Sequence, residues 1–345
     1  MPPGRTSESP RTLIVGAGLT GALLAWICSR EGDPPFVCSI DRPASQGTAL
    51  SAGVVRGLGP PGGPTSWARA TPEHLAAFAR RARTGYDLLR EALLATRRPV
   101  GLLRCRHAVR MPPSADPALA RRLEIALTAA GYEVHRETGE FGDELVREDD
   151  AVLSARRLTF ELLRLAAARG TQLELNCAFR GIRQETGAEV VVNLDGRDRG
   201  FSRMLWASGR PMRDEAPPTP AHARIVLHQL FEGGREPLRE ILELGGGEVT
   251  LAPAPLRPGQ VVLVRTAQES SGGLTWPEPP PGWEHYHGRA VRQRLAEALD
   301  SPPERSFVRA GRIVSVSGLS RWPIAAALGA CRDAIAALSE AIANP

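Results

Sequence analysis

The chain has 345 residues, which predicts two domains or one large domain with an insertion. Hydrophobic residues make up 42% and charged residues 23%, enough for a sizeable core and too apolar for wholesale disorder. The net charge is +5, but there is no lysine, and the arginines lie among acids, as at Arg121-Arg122 near Glu124, which argues against a nucleic-acid partner.

The five cysteines, Cys28, Cys38, Cys105, Cys177 and Cys331, are far apart and form no C-x-x-C pair. That pattern speaks against a disulfide framework or a zinc site and for a reducing compartment. Met1–Pro10 is polar and Pro-rich, so a disordered tail rather than a signal peptide is expected. No apolar run approaches the length of a membrane span, and a cytoplasmic location is the expectation.

In chain order, Thr12–Val15 reads as a buried strand, Leu19–Arg30 as a helix rich in Ala and Leu, and Phe36–Ile40 as a second strand, together a β-α-β unit. Residues 42–70 read as a long loop. Thr71 caps a helix with Pro72 at its first position, running to about Ala95. Val100–Arg110 is expected as strand, Pro117–Ala130 as helix and Glu133–His135 as strand. Ser154 caps a helix over Ala155–Arg169 that Gly170 ends. Strands Gln172–Leu175, Phe179–Arg183, Glu189–Asn193 and Met204–Ala207 follow, then Arg224–Leu230 and Gln260–Thr266. Residues 267–283 read as loop, Trp283–Leu299 as helix, Phe307–Val316 as strand and Ile324–Ala343 as a closing helix.

The first β-α-β unit carries the motif Gly16-Ala17-Gly18-Leu19-Thr20-Gly21 at the turn from strand to helix. There, Gly16 permits the tight turn, Gly18 leaves room for a pyrophosphate, and Gly21 lets helix and strand pack closely. The helix N-terminus offers unpaired N–H groups to the phosphates. Asp41, with Arg42 beside it, lies about 20 residues further on, where a carboxylate accepts hydrogen bonds from ribose hydroxyls. The unit is expected to bind a dinucleotide, but these residues alone do not separate NAD from FAD.

Three later segments point to one family. Ser51-Ala52-Gly53-Val54-Val55-Arg56 is similar to a small-residue loop that runs along a flavin ring. Asp150-Ala151-Val152-Leu153-Ser154-Ala155-Arg156-Arg157-Leu158 is similar to the stretch leading into the helix before the adenine-side strands, which aligns Phe179 with the strand that meets the adenine. Leu205-Trp206-Ala207-Ser208-Gly209 is similar to a short strand ending in a glycine close to the cofactor. In this order they make the sequence resemble the FAD-dependent amine-oxidising family of D-amino-acid oxidase, glycine oxidase and sarcosine oxidase, with glycerol-3-phosphate dehydrogenase as a cousin. The resemblance covers most of residues 11–210.

It implies an α/β fold: a Rossmann-like FAD-binding domain with a parallel central sheet, and an α+β substrate domain with a mixed or antiparallel sheet. On that pattern the FAD-binding domain takes residues 11–70, 145–215 and 306–345, and the substrate domain 71–144 and 216–305. It implies FAD as cofactor and transfer of a hydride from a carbon bearing nitrogen (or oxygen) of a small substrate to the flavin, with the protein chiefly orienting the substrate. The family's C-terminal Asp-Gly-x-Pro turn is absent; Arg312, Ser317-Gly318-Leu319-Ser320 and Pro323 stand in its region, with Gly318 the candidate flavin contact. The departure leaves open an FAD-fold subunit or degenerate binding module without independent catalysis, and with it a partner subunit or a homo-oligomer.

No catalytic acid or base is legible. For a substrate carboxylate the candidates are Arg265, Arg312 and Arg56, and His228 is a candidate to face the flavin. The His285-x-His287 pair has no third ligand nearby, and no metal is expected.

Overall fold

A computed structural model describes residues 11–343 apart from 46–47, 49–50, 61–62, 112–115, 117, 140–141, 187, 209–221, 245–247, 271–272, 278, 280–282, 284–285, 287, 301–306, 317–318 and 320–321. The tail Met1–Pro10, Gly209, His285, His287 and Gly318 therefore lie outside the described residues.

A six-stranded sheet is built around β1 (Thr12–Val15). On one side lie β2 (Phe36–Ser39) and β6 (Gln172–Leu175); on the other lie β10 (Arg203–Trp206), β19 (Ile313–Val316) and the edge strand β18 (Phe307–Ala310). All pairs are parallel except β18 with β19. A parallel sheet is buried on both faces, which is why its strands read as unbroken apolar runs. Ile14, Val37, Leu205 and Val314 pack against α1 (Leu19–Arg30), α5 (Ala155–Ala167) and α6 (Ile324–Ala343). Their alternates Leu13, Val15, Phe36, Cys38, Met204 and Trp206 pack against a three-stranded sheet of β7 (Phe179–Glu185), β8 (Val190–Leu194) and β9 (Arg197–Phe201). Each of these fully buried aliphatic side chains contributes about 1.5–3 kcal/mol.

The second sheet has eight strands in the order β17 (Arg289–Asp300), β11 (His222–Glu232), β14 (Gln260–Thr266), β13 (Val249–Pro253), β12 (Glu240–Leu244), β3 (Leu103–Arg110), β5 (Gly142–Val152) and β4 (His135–Gly139). Only β3 with β12 is parallel. This mixed sheet beside a parallel one is the α/β arrangement expected. Helix α4 (Leu119–Ala129) covers part of it through Leu123 and Leu127, which join Val109 and Leu145 in one cluster. A five-residue helix, α2 (Gly63–Trp67), and a hairpin of β15 (Gln268–Ser270) and β16 (Gly273–Thr275) interrupt stretches read from sequence as loop.

Helix α3 (Pro72–Ala95) starts where Thr71 predicts, with the Thr71 hydroxyl accepting from the His74 N–H at 3.3 Å. It does not stand with the second sheet alone. It crosses α6 at two glycines: a Cβ on Gly85 would run into the Ala325 carbonyl, and one on Gly329 into the Arg81 carbonyl. Arg81 pairs with Asp333 at 2.7 Å, and Phe78 packs on Trp322 with ring centroids 5.0 Å apart.

Two expectations are corrected. Trp283–Leu299 is no helix; Arg289–Asp300 is β17, paired with β11 from Arg289 opposite Glu232 to Asp300 opposite His222. Its Ala, Leu, Arg and Glu favour a helix locally, but pairing along the whole of β11 outweighs that propensity. Phe307–Val316 is a hairpin, not one strand, turning at Gly311 with φ +54°.

Candidate cofactor and substrate site

The glycine motif lies at the carboxyl ends of β1 and β10, where a doubly wound sheet takes its ligand. Each glycine has its own reason. Gly16 has φ +113°, and a Cβ there would stand 2.5 Å from the Ala207 carbonyl oxygen, so the turn is pressed against the end of β10. A Cβ on Gly21 would collide with the Gly16 carbonyl, which fixes how closely α1 approaches β1. Gly18 differs. Its φ is −72°, open to any residue, and a Cβ would meet only Thr48 Oγ1 at 3.4 Å. No packing within the described chain demands glycine there, and the space beside it is open.

Gly18 gives α1 no side-chain cap. Thr48 Oγ1 accepts the Leu19 N–H at 2.8 Å, so the first turn of α1 is lined by a hydroxyl from the long loop. Asp41 and Arg42 follow β2, Asp41 half-buried and Arg42 exposed. Phe179 opens β7 and packs edge-on against Trp206, centroids 5.1 Å apart, beside the end of β10. These groups fit a dinucleotide: a cradle with space at Gly18, a helix N-terminus and an acid at the next strand's end.

The second part of the site is the segment Gly53–Gly57. Gly53 has φ +77°, and a Cβ there would run into the Leu153 carbonyl. Leu153 donates its N–H to Gly53 O at 2.9 Å, Val55 donates to Ala151 O at 2.9 Å, and Val54 bridges Val152. On the other side, Ile324 and Ala325 donate to the Val54 and Val55 carbonyls, each at 2.9 Å. Gly57 lies so close to Pro323 that a Cβ would strike its ring. The segment is thus held between the end of β5, through one β-bridge, and the start of α6. Ser51 and Ala52 lead into it half-buried, the Ser51 hydroxyl accepting the Gly53 N–H at 3.1 Å.

The third part is the sheet face that meets Val54. Residues paired across strands, and alternate residues along one strand, share a face. Val54 packs with Cys105, Val152, Ile241 and Ala252. Ala252 pairs with Val262, and Val262 with Leu230. One pleat along, Glu243 pairs with Thr250, Thr250 with Val264, Val264 with His228, and His228 with Arg294. An apolar row and a polar row therefore run side by side on this face. His228 Nδ1 is buried with no hydrogen-bond partner among the described residues. Burial, the main cause, pushes its pKa down to about 4, so the imidazole is uncharged at neutral pH.

This geometry sorts the four substrate candidates. Only His228 lies on the Val54 face. Arg265 pairs with Val249 and Leu227 and alternates with Val264, so it lies on the opposite face, bonded to Gln229 Oε1 at 2.8 Å and 6.0 Å from the Trp276 ring centroid. Arg312 precedes β19 at the amino end of the parallel sheet, away from Gly16, with its N–H on Glu185 and its guanidinium on the Ser202 carbonyl at 3.0 Å. Arg56 directs its guanidinium to Glu133 at 2.9 Å and Asp149 at 3.5 Å. The structure thus brings none of the three arginines to the face that holds His228: strand parity places Arg265, the sheet end places Arg312, and ion pairs hold the Arg56 guanidinium.

The sequence reading passed over Thr48, His107, Arg147, Glu243 and Thr250. Asp150 was read only as part of a helix lead-in, yet its buried carboxylate accepts the N–H groups of Arg56 at 2.9 Å and Gly57 at 2.8 Å. Their only sequence signal is weak: polar residues at inward positions of alternating strands, as His107 in Cys105–Val109.

The comparisons agree with this geometry. The family model described as DAO, FAD dependent oxidoreductase, matches residues 11–332. A search of curated protein sequences finds no match. Among solved structures, an L-alpha-glycerophosphate oxidase from Mycoplasma pneumoniae with FAD bound is similar at 13% identity and TM-score 0.73, covering 96% of this chain and 95% of that one. A glycine oxidase from Geobacillus kaustophilus is similar at 15% identity and TM-score 0.74, covering 96% and 94%. An iminodiacetate oxidase from Chelativorans sp. BNC1 is similar at 18% identity and TM-score 0.68, covering 96% and 95%. A two-sheet flavoprotein fold with a nucleotide cradle is the class. The chain belongs to the DAO family of FAD-dependent oxidoreductases, and is an enzyme with FAD as its cofactor. No helix among the described residues is long and apolar enough to cross a membrane.

Proposed function

We propose that this oxidoreductase acts on a small amine or amino-acid-like substrate at a CH–NH or CH–NH2 bond. One observation carries the reading: the sheet face at Val54 pairs an apolar row, Ile241, Ala252, Val262 and Leu230, with an uncharged imidazole whose buried nitrogen has no partner. When bound, FAD supplies the hydride acceptor. The apolar row holds the substrate's carbon skeleton and excludes water. The neutral His228 imidazole, in the tautomer with its proton on Nε2, accepts a hydrogen bond at Nδ1 from the substrate's N–H and so orients the carbon beside it.

We assign the pyrophosphate to Gly16, Ala17, Gly18, Leu19, Thr20 and Gly21, the ribose to Asp41 with Arg42, and the adenine side to Phe179. Ser51, Ala52 and Gly53, with Ala207, line the approach to the ring. The cofactor-binding part comprises 11–70, 145–215 and 306–345, and the substrate part 71–144 and 216–305; α3 is joined to the cofactor side by its crossing with α6.

The test is anaerobic bleaching of the FAD-loaded protein by glycine, iminodiacetate and a set of L-amino acids, with glycerophosphate as the oxygen-bearing comparison. Bleaching by a nitrogen compound is expected. Bleaching by glycerophosphate alone overturns the amine reading, and a flavin that no compound bleaches favours a subunit without independent catalysis.

A further inference from the structure

The Asp150 carboxylate is fully buried, and four donors converge on it: the N–H groups of Arg56 at 2.9 Å, Gly57 at 2.8 Å and Ala151 at 2.7 Å, and His107 Nδ1 at 2.8 Å. Arg56 and Gly57 continue the segment whose Val54 and Val55 carbonyls hold the first N–H groups of α6. His107 is as buried as its partner and pairs with Ile241, placing it in the apolar row of the substrate-facing sheet. On its other side, Nε2 faces Glu243 at 3.5 Å, an ion-pair distance without hydrogen-bond alignment. Glu243 belongs to the polar row. A chain of three groups thus leads from the floor of the substrate site to the backbone of the cofactor loop.

We propose that His107 and Asp150 are positioning residues for FAD: completed by Glu243, the pair holds the Val54–Gly57 segment where the cofactor loop, the substrate-facing sheet and the start of α6 meet. The inference rests on FAD binding along that segment. The charged and titratable groups facing His107 are Asp150 and Arg147 on β5, Glu243 on β12, Cys105 on its own strand, and Arg56, Glu133 and Tyr132 at the rim. Arg147 strengthens the same clamp, donating to the Gly57 carbonyl at 3.0 Å. Burial works against a charged His107, but Glu243 and Asp150 outweigh it and raise its pKa to about 9. The protonated form is therefore held at neutral pH, full below the ordinary histidine range and lost as pH rises through about 9.

The experiment titrates FAD into the full chain, read by quenching of flavin fluorescence, from about pH 6 to about pH 10. Wild type is expected to hold a constant affinity to about pH 8 and to weaken about fivefold or more by about pH 10. His107→Asn keeps an N–H directed at Asp150 without the charge; it is expected to bind about fivefold more weakly near pH 7 and to lose the alkaline limb. His107→Leu is expected to lose about tenfold or more, so that asparagine partly rescues it. A wild-type profile that coincides with that of His107→Asn overturns the proposal, as does a folded His107→Leu that binds like wild type. If His107→Leu fails to fold by circular dichroism, the wild-type and His107→Asn profiles decide alone. A wild type that takes up no FAD at any pH overturns the cofactor reading and the proposal with it; one that binds FAD without the alkaline limb overturns only the proposal.

Discussion

Three glycines in one motif do three different jobs, and substitution separates them. Gly18→Val adds bulk where the described chain leaves space, at an unstrained φ of −72°. Folding stability is expected to change by less than ~1 kcal/mol, while FAD affinity falls at least ~100-fold, as equilibrium titration and thermal melting together would show. Gly21→Ala adds a Cβ where the Gly16 carbonyl stands. It is expected to cost about 2–4 kcal/mol of folding stability by chemical denaturation, with cofactor binding lost only as a consequence. His228 is the other informative residue. Its folded pKa of about 4 lies below the ordinary histidine value, so the native state binds fewer protons than the unfolded chain between the two. Its contribution is full above about pH 6.5 and lost as pH falls through about 4. An imidazole NMR signal that stays flat from about pH 8 to about pH 5 is expected, and a midpoint near the ordinary value would refute the buried neutral ring.

Elements differed in how openly the sequence declared them. β1, α1, β2, α3, α5 and α6 were legible because each is set by a local rule: an apolar run, a Ser or Thr cap, a helical stripe. The start of α3 at Thr71 and of α5 at Ser154 are cases where one side chain decides the boundary. The second sheet was far less legible. β12 and β13 are five residues each, and β17 carries a composition that favours helix; what makes them strands is a partner distant in sequence. The glycine turn from β1 into α1, to which we assign the pyrophosphate, was readable for the same reason α1 was. The floor of the site was not, because the face on which Arg265 or His228 lies depends on pairing register. The crossing of α3 with α6 gives a prediction at this scale. Gly85→Val must push α6 away, since its Cβ would meet the Ala325 carbonyl. A loss of about 2–4 kcal/mol in stability is expected by denaturant titration. FAD affinity should fall as well, because Ala325 also holds the Val55 carbonyl.

Across the whole molecule, the two sheets are joined through a very short piece of chain. Gly53–Gly57 touches β5 of one sheet on its first side and α6, which packs on the other sheet, on its second. The long loop of residues 42–70 is thus not slack; its middle is bonded on both sides and acts as a shared strap. This also accounts for the closeness of α3 to the cofactor side, because Phe78 and Arg81 secure Trp322 just ahead of α6.

That arrangement has a consequence for how the protein is made. The cradle motif leaves the ribosome before either wall of the segment beside it, and the two walls come at very different times: Ala151–Leu153 about a hundred residues later, Ile324 and Ala325 about 170 after that. A nascent chain that stops short of Ile324 has the glycine turn but lacks one wall of the segment to which the ring is assigned. FAD capture in vivo should therefore wait until Ile324 and Ala325 have emerged, leaving the young protein dependent for a time on whatever shields an apolar, half-closed cleft.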